Sequence, residues 1–195
     1  MSNELGLHTR NQGKAEAVRQ GMLYALASGA KITGYWDADL ATPVNEFLVI
    51  LEAIQKDTFV TAVFGSRVRL LGHDIQRTLL RHYLGRGFAT LASIILQLPV
   101  YDTQCGAKVF RCTEALTQSL ETPFCSAWAF DIELIYRLLN TKRIELRLLQ
   151  NQIREIPLKK WRDVKGSKLK PSAVFAVLLF LIRFGFEARI LRKKF

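Results

Sequence analysis

Residues 32–39 read Ile-Thr-Gly-Tyr-Trp-Asp-Ala-Asp. The first five predict a short buried strand, which Asp37 ends. Asp37 and Asp39 therefore follow a strand directly, and in parallel α/β sheets such positions border the ligand crevice. Because Mg²⁺ is typically held by one or two carboxylates plus substrate phosphates, the pair predicts a divalent-metal site. Taken alone, the tripeptide Asp37-Ala38-Asp39 has an alternative interpretation, a solvated turn in which Asp39 is the turn-forming residue.

The segments around this strand alternate between helical and extended patterns. A helical apolar pattern covers residues 17–26, a helix start lies at Thr42-Pro43, and residues 58–64 form a β-rich segment before Gly65. This alternation predicts the α/β class with a parallel sheet. Farther along, we expect helices at 77–96 and 132–139, strands at 107–111 and near Pro157, and loops at 65–75 and 159–170.

Composition narrows the class of protein. The 195 residues are 49% hydrophobic and 23% charged, which indicates one folded domain and excludes a disordered or low-complexity chain. The three cysteines do not form a disulfide framework or a paired zinc motif, and they suggest a reducing compartment. The longest apolar run, residues 173–182, is shorter than the roughly 20 residues that a spanning helix needs.

Charge is distributed unevenly along the chain. The net charge is +11, and all of it comes from residues 142–195, which carry 15 basic and 4 acidic side chains. An anionic partner is expected there, and both nucleic acid and an anionic membrane surface fit. We divide the chain into a domain at 1–171 and a basic tail at 172–195. The tail is predicted to lie on a membrane surface, with packing on the body or on a partner as the alternative.

Six segments in order resemble family 2 glycosyltransferases of the dolichyl-phosphate glucosyltransferase and mannose synthase branch. The resemblance runs from about Asn11 to Leu169. The segments are residues 11–19, Asp37-Ala38-Asp39, Gly65-Ser66-Arg67, residues 102–106 with Lys108 and Phe110, residues 128–133, and Trp161 with residues 166–168.

The resemblance implies a Rossmann-like nucleotide-diphospho-sugar transferase fold and an inverting transfer of a hexose. Glucose is favoured over mannose, UDP-glucose is the favoured donor, and a polyprenyl phosphate of the dolichyl type is the acceptor. Mg²⁺ or Mn²⁺ would bridge Asp37 and Asp39 to the donor diphosphate and neutralise charge on the leaving group. The expected location is cytoplasmic, peripheral on the cytoplasmic face of a membrane.

Candidate roles follow for individual residues. A phosphate acceptor is already an anion near neutral pH, so cations that position it matter more than a general base. Arg77 and Arg81, four residues apart on one predicted helix, can point at one phosphate. Asp131 and Glu133 are interpreted chiefly as scaffolding or acceptor positioning. The candidate catalytic residues are Asp39, Arg67 and Asp131, and the candidate substrate-binding residues are Lys14, Arg77, Arg81, Asp102, Gln104 and Lys168.

The main departure from the family pattern lies at the front of the chain. Nothing before Asn11 matches the family's first two strands, which bind the nucleobase and ribose. We therefore expect an N-terminally truncated fold with an open, apolar sheet edge and no sugar transfer by this chain alone. The alternatives are an inactive remnant and a non-enzymatic basic module that binds nucleic acid or membrane; nucleic acid is disfavoured because the acidic motif has no role there.

Overall fold

The computed structural model describes residues 11–141, 151–163, 179 and 181–185. The described segments form a mixed α/β fold, as the sequence predicts. In chain order the elements are α1 (Lys14–Ala27), β1 (Ile32–Trp36), α2 (Asn45–Lys56), β2 (Ala62–Ser66), β3 (Asp74–Gln76), α3 (Leu79–Leu96), β4 (Ala107–Arg111), α4 (Glu114–Leu120), α5 (Phe130–Thr141), β5 (Ile153–Pro157) and β6 (Lys160–Arg162).

The main sheet has four strands in the order β1-β4-β2-β5, and β3 pairs with β6 in a small second sheet. β2 and β5 are parallel, as predicted, but β4 runs antiparallel to both β1 and β2. The direction of β4 follows from where the chain enters it. Its first residue, Ala107, lies opposite Trp36, the last residue of β1. The alternation of helices and strands fixes the α/β class, but it does not fix the direction of a single strand.

Side chains alternate between two cores, one on each face of the sheet. Phe64 and Phe110 lie in a core with residues of α1, α3 and α5, whereas Val63 and Val109 lie in a second core with residues of α2. Every residue of β2 is buried, as expected for a central strand covered on both faces. Because apolar residues cover both faces of the sheet, polar side chains are placed at the carboxyl ends of β1 and β2.

Three short elements were not predicted. α4 has seven residues, and β3 and β6 have three each, which is too short for an apolar period to show. The N-cap of α4 is Thr113, whose side chain accepts a hydrogen bond from the Leu116 amide. β3 and β6 lie in segments expected to be loops, and their pairing depends on contacts far apart in the sequence.

Part of the basic tail packs on the domain. Leu181 is fully buried in the core that contains Phe64, and the Phe184 ring lies 4.8 Å from the Tyr136 ring of α5. Leu179 and Ile182 are exposed. For these residues the structure shows the alternative arrangement, a helical segment packed on the body with an outer apolar side; the rest of 172–195 lies outside the described residues. Within the described ranges, none of the helices has both the length and the apolar character needed to cross a bilayer.

Gly34→Ala tests the close contact of β1 with β4. A Cβ at Gly34 would lie 2.2 Å from the Lys108 carbonyl oxygen and 3.0 Å from the Val109 Cα, and both are backbone atoms that can move only with the strand. We expect the free energy of unfolding to fall by about 1–3 kcal/mol in urea denaturation. Gly21→Ala on α1, where a Cβ would meet nothing within 4 Å, should leave it unchanged or raise it. Equal losses in the two variants would contradict this account.

Candidate active site at the ends of strands β1 and β2

A tight turn places Asp37 and Asp39 at the carboxyl end of β1. The Leu40 amide donates to the Asp37 carbonyl oxygen at 3.1 Å, and Leu40 takes a positive φ of 52°. Asp39 is exposed, and its Oδ1 accepts the Ala41 amide at 3.0 Å. The turn interpretation is confirmed by this hydrogen bond, and it does not exclude the predicted metal site, because the Asp39 side chain is exposed.

Gly106 forms the surface against which the Asp37 carboxylate lies. The Asp37 amide donates to the Gly106 carbonyl oxygen at 2.8 Å. A Cβ at Gly106 would lie 1.9 Å from the Asp37 Cγ, so any side chain there would displace the carboxylate. The φ of Gly106 is not positive, so glycine is required here by the close approach of Asp37 and not by the backbone angle.

Lys14 reaches Asp37 from the first turn of α1. Its Nζ lies 2.6 Å from Asp37 Oδ1, with the lysine side chain 49% exposed and that of the aspartate 29% exposed. The same Nζ lies 5.7 Å from the centroid of the Phe130 ring. Lys14, predicted to bind substrate, is thus brought to the predicted metal ligand.

Arg67 and Asp102 form a buried ion pair beside this site. Asp102 Oδ2 accepts Arg67 Nε at 2.6 Å, and Oδ1 accepts the terminal guanidinium nitrogen at 2.8 Å. Burial would raise the pKa of Asp102, but the Arg67 charge outweighs it and lowers the pKa to about 2. Likewise burial would lower the pKa of Arg67, and Asp102 more than offsets this and raises it. Arg67, predicted to be catalytic, and Asp102, predicted to bind substrate, thus bind each other.

Glu155 and Trp161 hold that pair in place. The Glu155 carboxylate on β5 accepts the amides of Tyr101 and Asp102 at 2.6 and 2.7 Å. The Trp161 ring of β6 lies 5.3 Å from the Arg67 guanidinium carbon. Burial raises the pKa of Glu155, while the two amides act in the opposite direction. These contacts fix the loop 101–106 across the ends of β1 and β2.

Asp131, predicted to be catalytic, lies in a buried network. Lys108 Nζ is 2.6 Å from Asp131 Oδ1, and the Tyr35 hydroxyl donates to the same oxygen. Burial, followed by the charge of Asp131, holds the pKa of Tyr35 well above its usual value. Lys108 also donates to the Cys105 carbonyl oxygen, so it ties Asp131 to the loop 101–106. The network links α5 to β1, β4 and the loop 101–106, and the role of Asp131, catalytic or scaffolding, stays a prediction.

Three residues of this site were missed as functional positions: Lys108, Tyr35 and Glu155. Lys108 had a visible signal, a lysine within the apolar strand Ala107–Arg111, where a buried charge needs a partner. Glu155 and Tyr35 had none, because their roles depend on which loop and helix pack against them. Glu133 accepts the Cys125 amide and pairs with Arg137, which is scaffolding.

The other predicted site residues are placed less centrally. The Gln104 amide donates to Asp102, which puts Gln104 in the same loop. Arg77 precedes α3, which begins at Leu79. The prediction that Arg77 and Arg81 share one face of a helix is therefore wrong. The helix starts two residues late because Thr78, the N-cap residue, is extended. The Arg81 side chain and Lys168 lie outside the described residues.

The residue types of the acidic pair suit a divalent cation that takes its further ligands from a bound anion. Asp37 and Asp39 offer the oxygen ligands that Mg²⁺ and Mn²⁺ take, and both are accessible. Among the described residues, no group of three or more His, Cys, Asp or Glu side chains is placed to hold a metal by itself. Two carboxylates plus diphosphate oxygens are therefore the donor set that these residues can form. Cys105 is buried, and burial raises the pKa of its thiol to about 11, which argues against a nucleophile.

Known proteins resemble the chain over most of its length. It is 31% identical to a Trichomonas vaginalis dolichyl-phosphate beta-glucosyltransferase over 184 residues, which is 92% of this chain and 51% of the relative. Identity to the Saccharomyces cerevisiae enzyme of that name is 31%, covering 94% of this chain and 55% of the relative; for the human one it is 31%, covering 83% and 48%. The chain spans about half the length of these curated relatives. No protein-family model matches it.

Asp102→Asn tests the buried pair through pH. The pKa of this carboxyl falls from 3.8 to about 2, so it contributes about 2 kcal/mol of stability above pH 4, and this is lost as the pH falls through 2. We expect the variant to lose about 2–4 kcal/mol in urea unfolding at pH 7. Because the wild-type carboxyl protonates in acid, the difference from wild type should narrow between pH 4 and 2.

A matched control is Glu52→Gln, which breaks the exposed pair of Glu52 with Lys56 on α2. Because solvent screens that pair, the urea unfolding midpoint of Glu52→Gln at pH 7 should stay close to that of the wild type. A deficit for Asp102→Asn that does not change from pH 7 to pH 2 would contradict the ion-pair explanation.

Proposed function

We propose that this chain, which is similar to dolichyl-phosphate beta-glucosyltransferases over about half the length of those enzymes, serves the same reaction. In this proposal glucose passes from UDP-glucose to dolichyl phosphate with inversion at the anomeric carbon. The observation that carries the proposal is the pair Asp37 and Asp39 at the end of β1, with Asp37 in contact with Gly106 of the loop 101–106.

The acidic pair would bind the donor through its diphosphate. A divalent cation held by Asp37 and Asp39 would supply a Lewis acid that neutralises charge on the departing nucleoside diphosphate. Lys14, beside Asp37, adds a positive charge on the same side. The Gly106 contact keeps the Asp37 carboxylate in one orientation, so the ligand position is set before substrate arrives.

The surroundings of Asp131 support a phosphate as the acceptor. A hydroxyl acceptor needs a base that removes its proton, but Asp131 already accepts from Lys108 and Tyr35. A phosphate monoester is mostly ionised at neutral pH and needs only positioning and charge neutralisation. The proposed reaction therefore does not require Asp131 to act as a general base.

Basic residues near the site suit such an anionic acceptor. The segment 67–101 contains five arginines and one acidic residue, Asp74. Ser66 and Thr103, the neighbours of Arg67 and Asp102 in sequence, are buried with hydroxyls that find no partner among the described residues. We infer that this region receives the acceptor phosphate beside the Arg67–Asp102 pair, which fixes its position.

The outer face of α3 supports contact with an anionic membrane surface. Leu79, Tyr83 and Ile94 are exposed and lie on one side of the helix, given their spacing of four and eleven residues. Arg86 lies on the same helix, which carries no acidic residue. A membrane location suits an acceptor that is a lipid, and the cytoplasmic face is part of this proposal.

Asp39→Asn should abolish metal-dependent donor binding. The change removes one of two charged ligands and keeps the size of the side chain, and we expect UDP-glucose affinity in Mn²⁺ to fall at least about tenfold in calorimetric titration. Glu121→Gln, an exposed charge after α4, is the matched control and should bind like wild type. Unchanged binding by Asp39→Asn would refute the metal assignment.

Transfer itself is measured with labelled UDP-glucose and dolichyl phosphate. The chain is assayed alone and joined to the part of a relative that it does not cover. Labelled glucosyl lipid that depends on Asp39 supports the proposed function. Donor binding without any transfer by the joined protein would refute it.

Tyr83→Gln combined with Ile94→Gln should weaken binding to vesicles that contain anionic lipid. Both side chains are exposed, so the fold should survive, and the loss is expected because apolar burial and charge attraction act together at an interface. Val44→Gln with Leu48→Gln, exposed on or beside α2, is the control. Sedimentation at low and high salt gives the readout, and equal binding by both double variants would contradict the assignment of α3.

A further inference from the structure

We propose that Lys14 is an internal counter-ion that a divalent cation must displace from Asp37 and that then binds the donor diphosphate. This inference rests on the proposed function, since it concerns the same acidic pair. It assigns the lysine two successive partners, a carboxylate before the donor arrives and phosphate oxygens afterwards.

The ion pair occupies a carboxylate that a metal needs. Lys14 Nζ lies 2.6 Å from Asp37 Oδ1, which is a full ion pair and hydrogen bond. Nearby cations have carboxylates of their own, since Arg67 pairs with Asp102 and Lys108 with Asp131. Lys14 is therefore the cation whose departure frees Asp37.

Of the two partners, the lysine is the one that can move. The Asp37 carboxylate lies against Gly106, and the Asp37 amide is hydrogen-bonded to the carbonyl of that glycine. Lys14 is half exposed on a flexible four-carbon stem at the start of α1. A cation that binds Asp37 would thus expel the ammonium group and leave the carboxylate where it is.

The expelled ammonium group remains beside the metal, since its helix is packed on the domain through the buried Ala15 and Met22. Two cations side by side repel each other unless an anion joins them. A diphosphate is such an anion, with oxygens for both the metal and the lysine. The arrangement therefore disfavours metal alone and favours metal together with nucleoside diphosphate.

The proposed exchange of partners predicts that substitution of Lys14 changes the affinity for Mn²⁺ and the affinity for UDP in opposite directions. Lys14→Met should bind Mn²⁺ alone about threefold to tenfold more tightly than wild type, because Asp37 loses its competing partner. The same variant should bind UDP at saturating Mn²⁺ at least about threefold more weakly, because the diphosphate loses a cation. A purely structural role for Lys14 would weaken both.

The experiment compares four proteins made as the full chain. Free Mn²⁺ is followed by electron paramagnetic resonance, and UDP binding by calorimetry. Lys14→Arg keeps the charge and should resemble wild type within about twofold. Lys31→Met makes the same charge change at the opposite end of β1, where Lys31 is exposed, and should also resemble wild type. Thermal unfolding by circular dichroism checks that each protein folds, and Lys14→Gln replaces Lys14→Met if the latter does not.

Mn²⁺ affinity that is unchanged or weaker in Lys14→Met overturns the inference, and so does tighter binding of UDP. The proposed function is tested separately by Mn²⁺-dependent UDP binding in the wild type. That binding can be present while Lys14→Met gains no Mn²⁺, which refutes only the counter-ion. It can also be absent while Lys14→Met gains Mn²⁺, which refutes the proposed donor and the second partner of Lys14 but supports its displacement from Asp37 by the cation.

Discussion

The contact between Gly106 and Asp37 is the constraint on which the site depends. Antiparallel β4 starts beside the end of β1, and this brings a loop rich in polar groups across the edge where β1 and β2 end. Had β4 been parallel, residues 101–106 would lie at the other edge of the sheet, far from the acidic pair. The absence of a side chain at Gly106 then lets the Asp37 carboxylate settle directly on the backbone. Strand direction and the absence of a side chain at Gly106 together place Asp37, the predicted metal ligand.

Buried carboxylates fix the loops around that contact. Glu155 holds the start of the loop 101–106 through two amides, and Glu46 on α2 holds Lys159 and Lys160 in the same way. An ionised carboxylate is costly to bury, and hydrogen bonds from the backbone offset that cost only while the loop stays in place. Each such carboxylate therefore makes one loop conformation more stable than the others. These hydrogen bonds oppose movement of the loops around the acidic pair, and this would suit chemistry that depends on positioning.

Sequence patterns predicted the parts that depend on local order. β4 at Ala107–Arg111, β5 near Pro157 and the acidic pair after β1 follow from apolar patterning and from residue types at strand ends. The direction of β4, the pairing of β3 with β6 and the partner of Lys108 depend on contacts between distant segments, and no local period encodes them. Arg77 shows the boundary error typical of such reasoning, because a helix start depends on one residue's backbone angle. The roles of the site residues remain predictions.

Charge pairing also limits which chemistry the site can perform. Arg67 and Asp102 neutralise each other, as do Lys108 and Asp131, so the buried interior adds little net charge. Under the proposed function, selectivity for a doubly anionic donor and an anionic acceptor would come from groups at the surface of the site. Those groups would be Asp37 with its proposed cation, Lys14, and the arginines that follow Arg67 in the sequence. Such a site would reach its full charge balance only with metal, donor and acceptor bound together, and this would favour transfer between two anions over hydrolysis of the donor by water.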